Sequence, residues 1–238
     1  MTVETLLDGV QAQYEALPYP PRDPLEETRR LQMTSLDVLE QIDHYCFRGE
    51  LPSWNEMRIL VAGGGTGDAT ILLAEQLRNT SARIVYTDIS AHSMRIAKKR
   101  AEVRALHNIE WHQMSLLDLT PDTFGEFDYI NCSGVVHHLP DPEQGLQTLT
   151  NLLAPNGAIG LMVYGRYGRA GIYELQQLLR DLTQGMDIDT KVRHAARIVA
   201  SLPPNNPFRQ SLETFTADLS TEAGIYDLLL HSIDRAYT

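Results

Sequence analysis

The chain has 238 residues, 43% of them hydrophobic, and a formal net charge of −11 from 20 Lys and Arg against 31 Asp and Glu. That length can bury one core with additions but leaves little room for a second full domain, and an acidic average surface repels a phosphate backbone, which argues against duplex nucleic acid as a substrate. Cys46 and Cys132 lack metal-ligand spacing, and neither a basic-then-apolar leader nor a run of about 18 apolar residues occurs, so the expected setting is soluble, reducing and cytoplasmic, away from membranes.

Val3, Leu6, Leu7, Val10, Tyr14 and Leu17 recur at helical spacing and predict a helix over 3–17. Pro18-Tyr19-Pro20-Pro21-Arg22-Asp23-Pro24 then stops it with a stiff, extended segment. A second helix is expected over 25–47, leading through Gly49 and Pro52-Ser53-Trp54 into the first strand. Residues 1–54 thus read as an N-terminal helical lid. From 58 onward strands (58–62, 83–87, 109–113, 127–132, 158–164) alternate with helices (68–78, 91–105, 142–153). This alternation predicts an α/β fold, a doubly wound and mostly parallel sheet over 55–165. Right-handed crossovers put every strand's carboxyl end on one edge, where ligands bind. Helical periodicity over 170–183, 187–202 and 219–233 makes 166–238 a helical cap.

The densest chemistry lies in Ile59-Leu60-Val61-Ala62-Gly63-Gly64-Gly65-Thr66-Gly67-Asp68-Ala69-Thr70, where an apolar strand ends in glycines and a helix begins. Gly63, Gly65 and Gly67 let a nucleotide-like ligand lie against bare backbone. A dinucleotide fingerprint would carry a glycine where Asp68 stands. A carboxylate there repels a diphosphate and attracts a cation, so Asp68 is a candidate for an ammonium contact; the alternative is that it serves only the helix start. Ile84-Val85-Tyr86-Thr87-Asp88-Ile89 ends a second strand in a carboxylate suited to the two hydroxyls of a ribose, which implicates Asp88 and Ile89 in a nucleoside site without choosing the nucleoside.

Three further stretches complete the pattern: Trp111 to Leu119; Phe127 to Pro142, followed by Gly145-Leu146 and Leu152-Leu153-Ala154-Pro155-Asn156-Gly157; and Leu161 to Tyr173. Together with Gly63-x-Gly65-x-Gly67 they resemble the class I S-adenosylmethionine-dependent methyltransferases over residues 55–165. The resemblance implies S-adenosyl-L-methionine as cofactor and S-adenosyl-L-homocysteine as product. It implies Ser115 and Leu116 at the adenine, Ser133 and Gly134 along the cofactor, His138 packed structurally, and His137 facing the acceptor. A neutral imidazole at His137 could act as general base, the plainer alternative being a hydrogen-bonded loop histidine. Two adjacent histidines without a third ligand do not make a metal site, so no metal is expected. The family's usual acidic residue two positions before the first glycine is Val61 here.

Tyr164, Arg166, Tyr167 and Arg169 follow the fifth strand, and arginine forks there suit an anionic acceptor. Tyr14 and Tyr19 of the lid are candidates to close the pocket. The strings at 61–69, 160–165 and 226–232 are similar to a bacterial subgroup acting on small molecules, in which the chain usually continues and the sheet closes with two more strands. A truncated C-terminus is therefore expected. The implied function is methyl transfer to an unidentified acceptor, expected to be a small molecule. A cofactor-binding module that holds a protein partner without turnover, or an NAD-dependent oxidoreductase, are the rival readings.

Overall fold

The computed structural model describes residues 3–51, 53–210, 212 and 214–238. The described chain groups into two compact units, one comprising Arg22–Val163 and the other Tyr164–Thr238 with the segment up to Pro21. This division differs from the three consecutive segments anticipated from the sequence. The prolines at 18–24 lie at a boundary, as their stiffness suggests, but the anticipated lid is shared between the two units.

The unit Arg22–Val163 is built on five strands, β1 (Arg58–Ala62), β2 (Arg83–Asp88), β3 (Ile109–Gln113), β4 (Phe127–Ser133) and β5 (Leu153–Met162), in the order β3-β2-β1-β4-β5. Every pairing is parallel. Alternation along β1 explains its central place. Ile59 and Val61 enter one apolar cluster with Ile71, Leu73, Leu77 and Ile84, while Leu60 and Ala62 enter another with Val85, Ile130, Leu149 and Leu152. A strand apolar on both faces needs cover on both, which helices α2 (Leu39–Phe47), α3 (Asp68–Gln76), α4 (Ala91–Val103), α5 (Pro121–Phe124) and α6 (Pro142–Asn151) supply. Burying each such Leu or Ile contributes about 1.5–3 kcal/mol.

The expected helix over 25–47 is a 3-10 turn, Pro24–Thr28, an irregular connection that turns at 35–37, and only then α2. Tertiary hydrogen bonds hold that turn: Tyr129 donates its hydroxyl to Leu36 O at 2.6 Å, and Gln76 Nε2 donates to Asp37 O at 2.7 Å. β5 begins earlier than expected, with a register irregularity between the Phe127–Leu153 and Tyr129–Ala158 pairs.

The other unit contains α1 (Val3–Ala16) and α7 (Ile172–Leu182), α8 (Ile188–Ser201), α9 (Pro207–Gln210), α10 (Thr216–Leu219) and α11 (Glu222–Leu229). Ile172, Leu175 and Leu179 form one face of α7 and pack with Val192, Ala195, Phe208, Leu228 and Leu229. No helix among the described residues is long and apolar enough to cross a membrane.

Candidate active site

The order 3-2-1-4-5 reverses direction between β1 and β4, and parallel sheets bind ligands outside the carboxyl ends of strands at such a reversal. The glycine turn lies there. Gly63, Gly65 and Gly67 take φ values of 71°, 52° and 101°. That left-handed backbone favours glycine, and at Gly67 a Cβ would also come within 2.8 Å of Ala97 Cβ in α4.

Two β2 side chains grip the turn. Tyr86 donates its hydroxyl to Gly65 O at 2.7 Å, and Asp88 Oδ2 accepts from Gly65 N at 2.8 Å, so the Gly65 residue is held through both its backbone groups. Asp88 Oδ1 accepts from Ser90 N at 2.8 Å. The Asp88 carboxylate thus ties the glycine turn to the start of α4. Burial, then the Asp88 charge, push the Tyr86 phenol far above its ordinary range and keep it a donor.

Asp68 is engaged within the protein. Its carboxylate is gripped by Arg22, with Nε to Oδ1 at 2.9 Å and Nη2 to Oδ2 at 2.5 Å, and by Arg100 Nη1 at 2.7 Å. Burial raises its pKa, but the two guanidiniums outweigh that and hold it below the usual carboxylate range. The charge expected to meet a ligand ammonium is neutralised by the protein's own cations. Arg100, 1% exposed, also donates to Thr66 O at 2.8 Å and to Glu27 Oε1 at 2.8 Å, binding the turn to α4. The sequence reading missed Arg100, although its spacing from Ser93 and Ala97 puts it on the buried face of α4.

The other candidates sit at neighbouring strand ends. Ser115, after β3, accepts from Leu117 N at 3.2 Å and starts a 3-10 turn, while the Leu116 side chain is 5% exposed within the apolar cluster around Leu60. Ile89 is half-buried and its carbonyl accepts from Gln113 Nε2 at 3.4 Å. Ser133, exposed, ends β4, and Gly134 (φ 77°) donates its N–H to Met162 O at 3.1 Å. His137 is enclosed. The sequence reading turned it toward the acceptor and packed His138, yet His137 is 0% exposed, His138 is 5% exposed, and their ring centroids lie 4.1 Å apart. The turn Val136–His138 draws both rings inward, and His137 is the more enclosed.

The acceptor candidates fall in the unit that includes Tyr164–Thr238. Ile233 N donates to His231 Nδ1 at 3.1 Å, which places the neutral ring's proton on Nε2. His231 Nε2 is 3.2 Å from the Tyr14 hydroxyl, and that hydroxyl donates to Asp227 Oδ1 at 2.9 Å. The chain of bonds therefore runs in one direction and ends on a carboxylate. Asp227 is 4% exposed; burial, chiefly, with Asp218 and Asp234 adding, raises its pKa to about 7 against the pull of Tyr14 and Arg169. Tyr19 donates to Asp218 Oδ1 at 2.5 Å. Arg169 lies 3.6 Å from the centroid of the Tyr164 ring and pairs with Asp234 at 3.0 Å, so the arginine offered to an anionic acceptor is already engaged. Arg166 is exposed, and its backbone N–H donates to Tyr237 O. Asp227 was missed although a lone carboxylate inside Ile225-Tyr226-Asp227-Leu228-Leu229 is itself a signal.

Residues 60–159 match the model of a methyltransferase domain. Over those residues the chain carries a methyltransferase domain. An uncharacterized protein of Synechococcus sp. is 36% identical over 214 residues, covering 88% of this chain and 50% of that protein. The ubiquinone biosynthesis O-methyltransferase of Acinetobacter baylyi is 25% identical over 177 residues, 73% of this chain and 71% of the enzyme. Among solved structures, PKMT2 from Rickettsia typhi in complex with AdoHcy superposes with a TM-score of 0.66 at 20% identity over 85% of this chain and 41% of that one, a likeness of fold. The chain thus spans half of the Synechococcus protein and less than half of the Rickettsia chain.

Proposed function

We propose that this chain transfers a methyl group from S-adenosyl-L-methionine to a small-molecule acceptor in the cytoplasm. The observation that carries the reading is the Gly65 residue clamped by Tyr86 and Asp88 at the carboxyl ends of β1 and β2, beside the reversal in strand order. The donor set fits the cofactor: three glycines at positive φ leave backbone bare, and a carboxylate at the carboxyl end of β2 suits the hydroxyls of a ribose. The relationship to a ubiquinone O-methyltransferase supports a small acceptor, and the absence of a membrane-crossing helix among the described residues fits the location.

S-adenosylmethionine, when bound, supplies the methyl group on a sulfonium. In this reading Gly63, Gly65 and Gly67 receive its methionine part, Asp88 and Ile89 the ribose, Ser115 and Leu116 the adenine, and Ser133 and Gly134 line the remaining wall. Asp68 acts indirectly, holding Arg22 and Arg100 so that the turn keeps its shape. The protein's main tasks are to orient the reactants and to exclude water. Tyr14, Tyr19, Tyr164 and Arg166 serve acceptor recognition in this reading, and Arg169, engaged by Asp234, holds the Tyr164 ring in place.

Calorimetric titration with S-adenosylhomocysteine and, separately, NADH tests this reading. S-adenosylhomocysteine should bind and NADH should not. Asp88→Ala should weaken the former about 10–100-fold, the loss expected when hydrogen bonds to a charged group are removed. Tight NADH binding, or equal affinity of the variant for S-adenosylhomocysteine, would overturn the reading.

A further inference from the structure

The sheet of the unit Arg22–Val163 has two edges where strands end, and the glycine turn and Asp88 occupy the carboxyl one. At the amino edge, where β2 begins at Arg83 and β3 at Ile109, lies a separate cavity of about 360 Å³. Arg78 and Asn79, after α3, and His107, after α4, wall it together with Arg83 and Asn108 at the strand starts. All of these residues belong to one compact unit. None of the residues that line the cavity is acidic, although the chain carries a net charge of −11. The volume suits a small ligand.

Helices α3 and α4 both end at this edge, and a helix C-terminus is electronegative, which by itself disfavours an anion. The chain answers those carbonyls with its own donors. Leu106 N donates to Ala101 O at 3.0 Å and Ala105 N to Glu102 O at 3.0 Å, closing α4 with Ala105 at φ 53°. Arg78 Nη2 donates to Arg104 O at 3.1 Å and its Nη1 to Glu75 Oε1 at 2.6 Å. Asn108 Nδ2 donates to Ala74 O at 3.1 Å. Two exposed side chains are left over: Arg83 and His107 have no side-chain partner among the described residues.

Asn108 supplies the second, independent observation. The residue is 8% exposed, its Nδ2 is spent on α3, and its Oδ1 is enclosed without a donor. A buried acceptor left unmade is costly and calls for a donor from outside the chain. A ligand suited to this wall therefore brings negative charge for Arg83 and His107 and a proton for Asn108. Sulfate and carboxylates offer only the charge. A phosphate group that keeps one O–H offers both.

From the uncommitted Arg83 and His107 and the unsatisfied Asn108 oxygen in one acid-free cavity, we propose that the amino edge of the sheet binds phosphate, free or as the monoester of a small molecule. Arg83 and His107 take the charged oxygens, and Asn108 Oδ1 accepts the retained proton. The site is distinct from the glycine turn and stands whether or not the chain transfers methyl groups.

The test is an amide-resolved NMR titration of the full chain with inorganic phosphate, glycerol 3-phosphate and sulfate, at constant ionic strength and about pH 6, where the phosphate group keeps an O–H. Phosphate should bind about 10-fold more tightly than sulfate, with the largest shifts at the Arg83, His107 and Asn108 amides. Tighter binding of glycerol 3-phosphate would assign the monoester as the ligand, and weaker binding the free ion. Arg83→Gln should weaken phosphate binding about 10-fold or more without moving the urea midpoint, because its side chain holds no other element. Asn108→Ala should bring phosphate down to the affinity of sulfate and leave sulfate as in the parent. Should that variant not fold, the ion comparison and Arg83→Gln decide by themselves. Absent phosphate binding, sulfate bound as tightly as phosphate, shifts confined to other residues, or an unaffected Arg83→Gln variant would each overturn the proposal.

Discussion

Asp227 shows how one side chain couples stability to pH. Its folded pKa of about 7 stands above the ordinary carboxylate value because burial penalises the charge first and Asp218 and Asp234 add to it. Between roughly pH 4 and 7 the folded state therefore holds a proton that the unfolded state has released. Stability contributed by this residue is present below that window and declines as pH rises through it, the reverse of a carboxylate held by a salt bridge. Asp227→Asn removes the titration but keeps an acceptor for Tyr14. The variant should match the parent near pH 4 and exceed it by a few kcal/mol at pH 8, read from urea unfolding at a series of pH values. Parallel stability curves for the two proteins would show that Asp227 does not titrate in this range. Asp37 should give a smaller slope of the same sign: burial raises it to about 6, although Thr34 and Asn131 both donate to it.

At the scale of elements, α4 is tied to the glycine turn through a buried ion network. Arg100 meets Glu27 at 2.7 Å and Asp68 at 2.7 Å, Arg104 also meets Glu27, and Arg22 meets Asp68 at 2.5 Å. Replacing Arg100 with Met would leave two carboxylates without one of their partners, at a cost of about 3–5 kcal/mol for a broken buried pair. By contrast, Arg78→Ala removes a partly exposed pair with Glu75 and should change stability by about 0–1 kcal/mol. Chemical denaturation of both variants checks the contrast, and equal small losses would mean that the network is not structural. These links also show what the sequence could disclose. β1, α3, β2, α4, β3 and β4 were legible because apolar alternation and helical spacing are local signals, and the glycine turn was legible because positive φ limits the residue type. The segment between the Pro24–Thr28 turn and α2 was not, because its conformation is set by Tyr129 and Gln76, far away in the chain. Asp68 misled for the same reason: its charge was visible, but the two arginines that compensate it lie at positions 22 and 100.

For the whole molecule, a −11 chain proposed to use a cationic cofactor places its charge where that ligand chemistry needs it only in part. Asp68, next to the glycine turn in sequence, is paired with Arg22 and Arg100, so in the proposed reading recognition there is left to backbone geometry and to Asp88. Recognition of that kind should depend weakly on salt, because hydrogen bonds inside a crevice are screened less than exposed charges. It should also stabilise the folded protein by linkage. With S-adenosylhomocysteine at 100 times its dissociation constant the gain is about 2.7 kcal/mol, which for a chain of this length raises the melting temperature by roughly 5–10 °C. The shift should persist from low salt to about 0.5 M sodium chloride, where the Debye length has fallen to a few ångströms. A shift that vanishes over that range would mean that the cofactor is held by exposed charge and that the arginine-compensated Asp68 is not the end of the electrostatic account.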